Sequence, residues 1–220
     1  MPLTMPSRAG QLLIASGRLR DPNFFKTVVL LVRDEEDGAL GVILNRPLEV
    51  TVADACGDAV EEAKEVDEPI HQGGPCEGPL TALHTNLSVE GDEVITNVRF
   101  TMDKESIEWL LANNVGPIKY FAGYSGWGKG QLDNEINEGA WLMTPATEDH
   151  VYHGKADWNK LTTWMSLGQK IDIDRGICKR VGQSCRAFFL AATAIDIDRA
   201  PSENALPLGA ATPRSCLRQR

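Results

Sequence analysis

Phe121-Ala-Gly-Tyr-Ser-Gly-Trp-Gly-Lys-Gly-Gln131 sets four glycines in eight positions between two segments of different periodicity. Upstream, residues 118–122 are a short apolar run that predicts a strand. Downstream, Leu132 and Ile136 lie one turn apart and predict a short helix over residues 131–138. The glycines between them predict a tight turn, because they permit positive φ and close backbone approach. Trp141-Leu-Met143 reads as a further strand.

Outward from this stretch, residues 27–32 and 39–44 are β-branched apolar runs joined by Asp34-Glu-Glu-Asp-Gly38, which predicts an antiparallel hairpin buried on both faces. Pro47 cannot donate to a ladder and is expected to end the second strand. Residues 54–66 read as an acidic helix stopped by Asp67-Glu-Pro69. Strands are expected around residues 80–84 and across 93–101. A helix carrying Ile107, Leu110 and Leu111 follows, with Asp103 as its cap and Gly116-Pro117 as its end. Asp157 caps a last helix bearing Trp158, Leu161 and Met165, with Gly168 as its stop. Hairpins and separated helices without regular alternation predict an α+β fold of mainly antiparallel strands. Periodicity fades past residue 174, so residues 1–174 read as the folded domain. Residues 175–220 read as an extension with one helix at 185–194 and disorder after 200.

Charge is divided along the chain in the same way. Residues 1–174 hold 14 Lys and Arg against 28 Asp and Glu, while residues 175–220 hold 8 against 3. An acidic body repels a phosphate backbone, so no specific nucleic-acid partner is expected for it. No apolar run approaches the roughly 20 residues that span a bilayer. The opening Met1-Pro-Leu-Thr-Met-Pro-Ser-Arg8 lacks a signal-peptide layout, which predicts a cytoplasmic protein without a membrane partner. The five cysteines form no CxxC pair and their odd count predicts reduced thiols. His150 and His153, with no Cys or carboxylate cluster to close a site, read as a solvated helix face rather than a metal pair. No metal and no cofactor is expected.

Three local patterns carry chemistry. Gly123-Tyr-Ser-Gly-Trp-Gly-Lys129 has the spacing of a phosphate-binding loop, but Gly130 stands where Ser or Thr would hold magnesium. Gly123-Tyr-Ser125 begins like a nucleophile elbow, but bulky Trp127 replaces its second glycine. If the chain is an enzyme, Ser125, His84 and Lys129 are its candidate residues, with amides of His71-Gln-Gly-Gly74 as an oxyanion hole. Asn45-Arg46-Pro47 puts an amide and a guanidinium at a strand end, fit either for an anion or for a salt bridge to nearby acids. Of the five tryptophans, Trp127 alone stands inside the glycine run, while the others read as packing residues.

Taken in order, these runs resemble the YqgE/AlgH family of bacterial proteins. The likeness is carried by Gly10-Gln-Leu-Leu-Ile-Ala15, Asp21-Pro-Asn-Phe24, Thr27-Val-Val-Leu-Leu31, Gly38-Ala-Leu-Gly-Val-Ile-Leu-Asn-Arg-Pro47, Gly73-Gly-Pro75, Leu83-His84, the run from Phe121 to Leu132, Glu135-Ile136 and Trp141. It covers about residues 10–168. The resemblance implies sheets wrapped into a pseudo-barrel with flanking helices. It carries the label of transcriptional regulator, drawn from genetic effects, and implies no established activity.

The leading functional expectation is a regulatory or small-anion-binding module. Its site combines Asn45, Arg46, Gly73, Gly74, Tyr124, Ser125, Gly126, Trp127 and Gln131, where amides bared by glycine and one Arg converge. The expected partner is a small anionic ligand or a protein. The alternatives are a hydrolase or transferase acting on a phosphorylated or acylated small molecule, and a DNA-binding regulator. No basic recognition helix supports the last.

Overall fold

The computed structural model describes residues 7–19, 21–57 and 60–174. The expected extension at residues 175–220 lies outside them. The chain divides into two compact units after Thr162, and the sheet belongs to the first. Of the second, the described part is the run of α5 from Thr163 to Asp174.

The predicted hairpin is present as β2 (Val28–Glu35) and β3 (Gly38–Ile43), paired antiparallel through Val29↔Ile43 and Leu30↔Val42. β1 (Gln11–Ala15) adds to β2, and β10 (Trp141–Pro145) adds to β1. The second half of the sheet is built on β9 (Ile118–Gly128). β6 (Cys76–His84), β8 (Val98–Thr101) and β7 (Asp92–Ile95) follow it outward, giving the order β10-β1-β2-β3-β9-β6-β8-β7. β4 (Pro47–Thr51) pairs with β5 (Pro69–Gln72), which joins β9 in the sheet's parallel pairing. The sheet is open, yet it curls. Arg33 of β2 meets Asp92 of β7 at 2.6 Å, and Gly10 lies so close to Val94 that a Cβ there would stand 2.6 Å from its carbonyl. That curl is the wrapped sheet the family resemblance implies, and the mainly antiparallel strands with separate helices make the fold α+β.

Leu13, Val29 and Ile43 are buried, and so are their alternating neighbours Leu12, Leu30 and Val42, so both faces of the hairpin half are covered. α3 (Gln131–Asn137) contributes Leu132 to the first of these faces, beside Trp127 and Trp141. α2 (Lys104–Asn113) packs Ile107, Leu110 and Leu111 onto Tyr120, Ala82 and Ile70 of the other half. Asp103 caps α2 as expected, its carboxylate accepting from the Ser106 amide at 2.9 Å.

Several local expectations change. The glycine run is not a turn: β9 continues through it to Gly128, and only Lys129-Gly130 turn into α3. Residues 54–66 form no single helix but α1 (Val52–Cys56) and a 3-10 turn (Glu61–Glu65). α1 starts at a Thr51/Asp54 capping box and ends at Gly57. Pro47 opens β4 rather than closing β3, having no amide to lose at a strand's first residue. Residues 93–101 fold back as β7 and β8 around Asn97, whose φ of 65° suits Asn. α5 (Trp158–Asp174) runs past Gly168. His150 belongs to α4 (Glu148–Tyr152), where its Nδ1 accepts from the Thr147 amide at 3.0 Å, while His153 caps the helix end. Cys56 is a free thiol, and the cysteines at 178, 185 and 216 lie outside the described residues.

Candidate functional site

The three motif runs do come together, and backbone holds them. The Gln72 amide donates to the Arg46 carbonyl at 2.8 Å, Ile43 donates to Gly73 at 2.9 Å, and Gly73 donates to Ala122 at 2.9 Å. Gly73 and Gly74 lie directly on β9, where a Cβ on Gly74 would stand 2.3 Å from the Tyr124 carbonyl carbon. The glycines here serve chain-to-chain contact. Ser125 is fully buried and donates its hydroxyl to the Gly73 carbonyl at 3.1 Å. The Tyr124 ring lies over Gly78 and Gly126.

Arg46 and Asn45 face a different structure. The guanidinium donates to the carbonyls of Asn23 (2.8 Å), Phe25 (3.1 Å) and Pro22 (3.3 Å). The Asn45 amide accepts from Val28 N and donates to Lys26 O, both at 2.9 Å. Together they clamp the loop of residues 21–27, in which Lys26 takes a φ of 56°. A loop of carbonyls takes the guanidinium, and the Asp21 charge lies near enough to act on it. Arg46→Ala is therefore expected to cost about 1–2 kcal/mol in chemical denaturation, since its acceptors are exposed and can turn to water. Amides of residues 23–27 should exchange faster in the variant. Unchanged exchange there would mean the clamp is idle.

Trp127 and Gln131 build the floor beneath that loop. The Glu135 carboxylate accepts from Trp127 Nε1 (3.0 Å), Trp141 Nε1 (2.9 Å) and Gln131 Nε2 (3.0 Å). Phe24 stacks on Trp127 and sets its edge against Trp141, with centroids 5.9 and 5.3 Å apart. Glu135 is the residue sequence reasoning passed over.

The three enzyme candidates are not brought together. His84 is paired opposite Ile118, seven residues along β9 from Ser125. That is roughly 23 Å of strand at about 3.3 Å per residue. His84 itself is fully buried, and burial, first among the influences on it, lowers its pKa. Lys129 is exposed beyond the end of β9.

A second polar group lies at the other end of β9, where His71, singled out in the sequence only for the backbone amides of its run, meets Lys119, which no motif marked. His71 is in register with Phe121 in the β5–β9 pair, and Lys119 lies two residues from Phe121 on the same strand. The two side chains therefore leave one face of the sheet as diagonal neighbours. Lys119 Nζ donates to the Val151 carbonyl of α4 at 3.0 Å. Among the described residues it makes no ion pair. Burial pulls its pKa down to about 8. Burial, and then the nearby Lys119 charge, pulls His71 down to about 4, and its Nδ1 is buried without a hydrogen-bond partner. Tyr152, beside Val151, has a buried hydroxyl in the same condition. The signal that could have found this place is a single charged residue within the apolar run of residues 118–122.

Comparison with known proteins agrees with the fold. The profile of the AlgH-like family matches residues 12–173. A UPF0301 protein of Chlorobaculum tepidum is 38% identical over 151 residues, covering 66% of this chain and 79% of its own. One of Streptomyces coelicolor is 41% identical over 153 residues with the same coverage. The solution structure of the AlgH protein from Pseudomonas aeruginosa superposes with a TM-score of 0.60 at 23% identity, covering 84% of this chain and all of its own. A crystal structure from Corynebacterium diphtheriae gives 0.56 at 21% identity, covering 73% and 88%. No helix among the described residues is long and apolar enough to cross a membrane. With a profile match spanning the sheet from β1 to α5, the chain belongs to the AlgH-like family.

Proposed function

We propose that the protein is a cytoplasmic, non-enzymatic regulatory module that binds a small anion, any effect on transcription being indirect. One observation carries the reading: Lys119 is a half-buried ammonium, held by the Val151 carbonyl, without a carboxylate partner among the described residues. An unpaired buried cation is costly, and an anion beside it removes that cost. One of its three donors goes to Val151, leaving two for a ligand. His71, neutral at physiological pH, can add a ring N–H. We place the anion here rather than at Arg46, whose guanidinium is already engaged with loop carbonyls. Against a hydrolase or transferase stands the separation of Ser125 from His84. Against a DNA-binding regulator stands the acidity of residues 1–174.

Sulfate, whose charge is constant over the range, is the probe. Binding followed by amide chemical shifts should perturb β5, the start of β9 and α4. It should weaken as pH rises through about 8, because the free protein loses the Lys119 proton there while the anion requires it. Lys119→Gln is expected to reduce affinity about tenfold or more. The variant should fold, since replacing an unpaired buried charge is neutral or stabilising. Equal sulfate affinity in wild type and Lys119→Gln would refute the assignment.

A further inference from the structure

We infer that the anion taken at this site is a 2-oxo acid, and that Lys119 captures it covalently and reversibly as an imine. The inference rests on the anion-binding reading above and adds the identity of the ligand's second group. Its ground is the arrangement around the amine. Lys119 Nζ is tethered by the Val151 carbonyl at 3.0 Å, so the nitrogen has a fixed place on α4's side of β9. His71 leaves the same face from the adjacent strand β5, with a buried Nδ1 that has no hydrogen-bond partner. A fixed amine and a neutral imidazole beside it are the two groups that carbonyl addition requires.

The step balances without any oxidant or reductant. The Lys119 lone pair forms a C–N bond to the carbonyl carbon, the C=O π bond opens, and the oxygen takes a proton to give a carbinolamine. The C–O bond then breaks and the oxygen leaves as water, having received both hydrogens of the neutral amine. A proton taken up from solvent makes the product an iminium. His71 Nδ1 is the group placed to carry protons between nitrogen and oxygen. Burial favours this outcome twice. It leaves an appreciable neutral fraction of Lys119 near neutral pH. It also favours a product without net charge, because the iminium of a 2-oxo acid brings its own carboxylate and the desolvated site then needs no further counter-ion. A sulfate or phosphate neutralises the ammonium but cannot make the bond. The iminium N–H can still donate to Val151.

The full-length protein is incubated with glyoxylate at pH 7.5 and sodium cyanoborohydride, and the modified lysines are mapped by peptide mass spectrometry. Exposed Lys64, Lys104 and Lys129 are internal controls. Lys119 is expected to be labelled at least about tenfold ahead of them, because an ordinary lysine is almost wholly protonated at this pH. Sulfate should slow the labelling, and His71→Phe should slow it by a larger factor than it weakens sulfate binding, because the imidazole serves the proton transfers as well as the anion. Label spread evenly over the exposed lysines, or Lys119 labelled equally fast by acetaldehyde, which lacks the carboxylate, overturns the inference. If sulfate binds but glyoxylate does not label Lys119, imine capture is wrong and the anion site stands. If neither occurs, both fall together.

Discussion

Glu135→Ala is expected to lower stability by about 3–5 kcal/mol, a large share of the 5–15 kcal/mol typical of a folded domain. The carboxylate accepts from Trp127, Trp141 and Gln131. Both tryptophans are about 3% exposed, so neither indole N–H can turn to water once the acceptor is gone. Each buried donor left unmade costs about 1–3 kcal/mol, and the vacated volume adds to it. Glu135→Gln should cost less. Its carbonyl oxygen can still take both indoles, but its NH2 then faces the Gln131 NH2. Gln131 can flip to accept only by giving up the Gly128 amide it now holds at 3.2 Å. Urea unfolding followed by tryptophan fluorescence reads both variants. If alanine and glutamine cost the same, the donors' need for an acceptor is not what holds this floor together.

Gly74→Ala is expected to cost about 3 kcal/mol or more, or to prevent folding, through contact with backbone alone. The added Cβ would stand 2.3 Å from the Tyr124 carbonyl carbon and oxygen and 2.4 Å from Ser125 N. No rotamer relieves such a contact; β9 itself must move, and overpacking of this kind is among the costlier core changes. Gly130→Ala is the control. It has a φ of 71° but open space around it, so it should cost only about 1 kcal/mol. Thermal melts of the two rank them directly. A Gly74→Ala protein as stable as Gly130→Ala would mean that the β5–β6 connection is not pressed onto β9 at this point.

What the sequence made legible follows from where each signal is local. The β2–β3 hairpin and α2 were readable because continuous apolar runs, an acidic turn and the Asp103 cap lie within the segments they define. The split of residues 54–66 was less so, although Thr51 and Asp54 carry a capping-box spacing that starts a helix before the expected one. The glycines of β9 were misread for a physical reason. A residue without a side chain permits a turn and permits a neighbouring backbone to touch, and only the neighbour, Gly73-Gly74 some fifty residues away, decides which. Asn45 and Arg46 stand out in the sequence as a polar pair at a strand end, but their partners are main-chain groups of residues 22–28, which no side-chain pattern announces. Lys119 carries no local signal of its surroundings, because the α4 carbonyl that holds it, at Val151, lies some thirty residues further along the chain.

β9 joins three ladders, and its position along the chain sets the order in which the protein can be made. β3 pairs with it through Gly41↔Ser125, β5 through Ile70↔Tyr120, and β6 through Ala82↔Tyr120. At the sheet's other end Gln11 waits for Pro145. A ribosome therefore releases the most apolar hairpin long before the strand that completes its edge, and β1 emerges first yet gains its second neighbour almost last. Such long-range pairing folds slowly, and its unfinished intermediates bear open, apolar strand edges. The sheet therefore stays incomplete until residue 145 has been made, and truncations that end before β9 should aggregate rather than yield a smaller folded half.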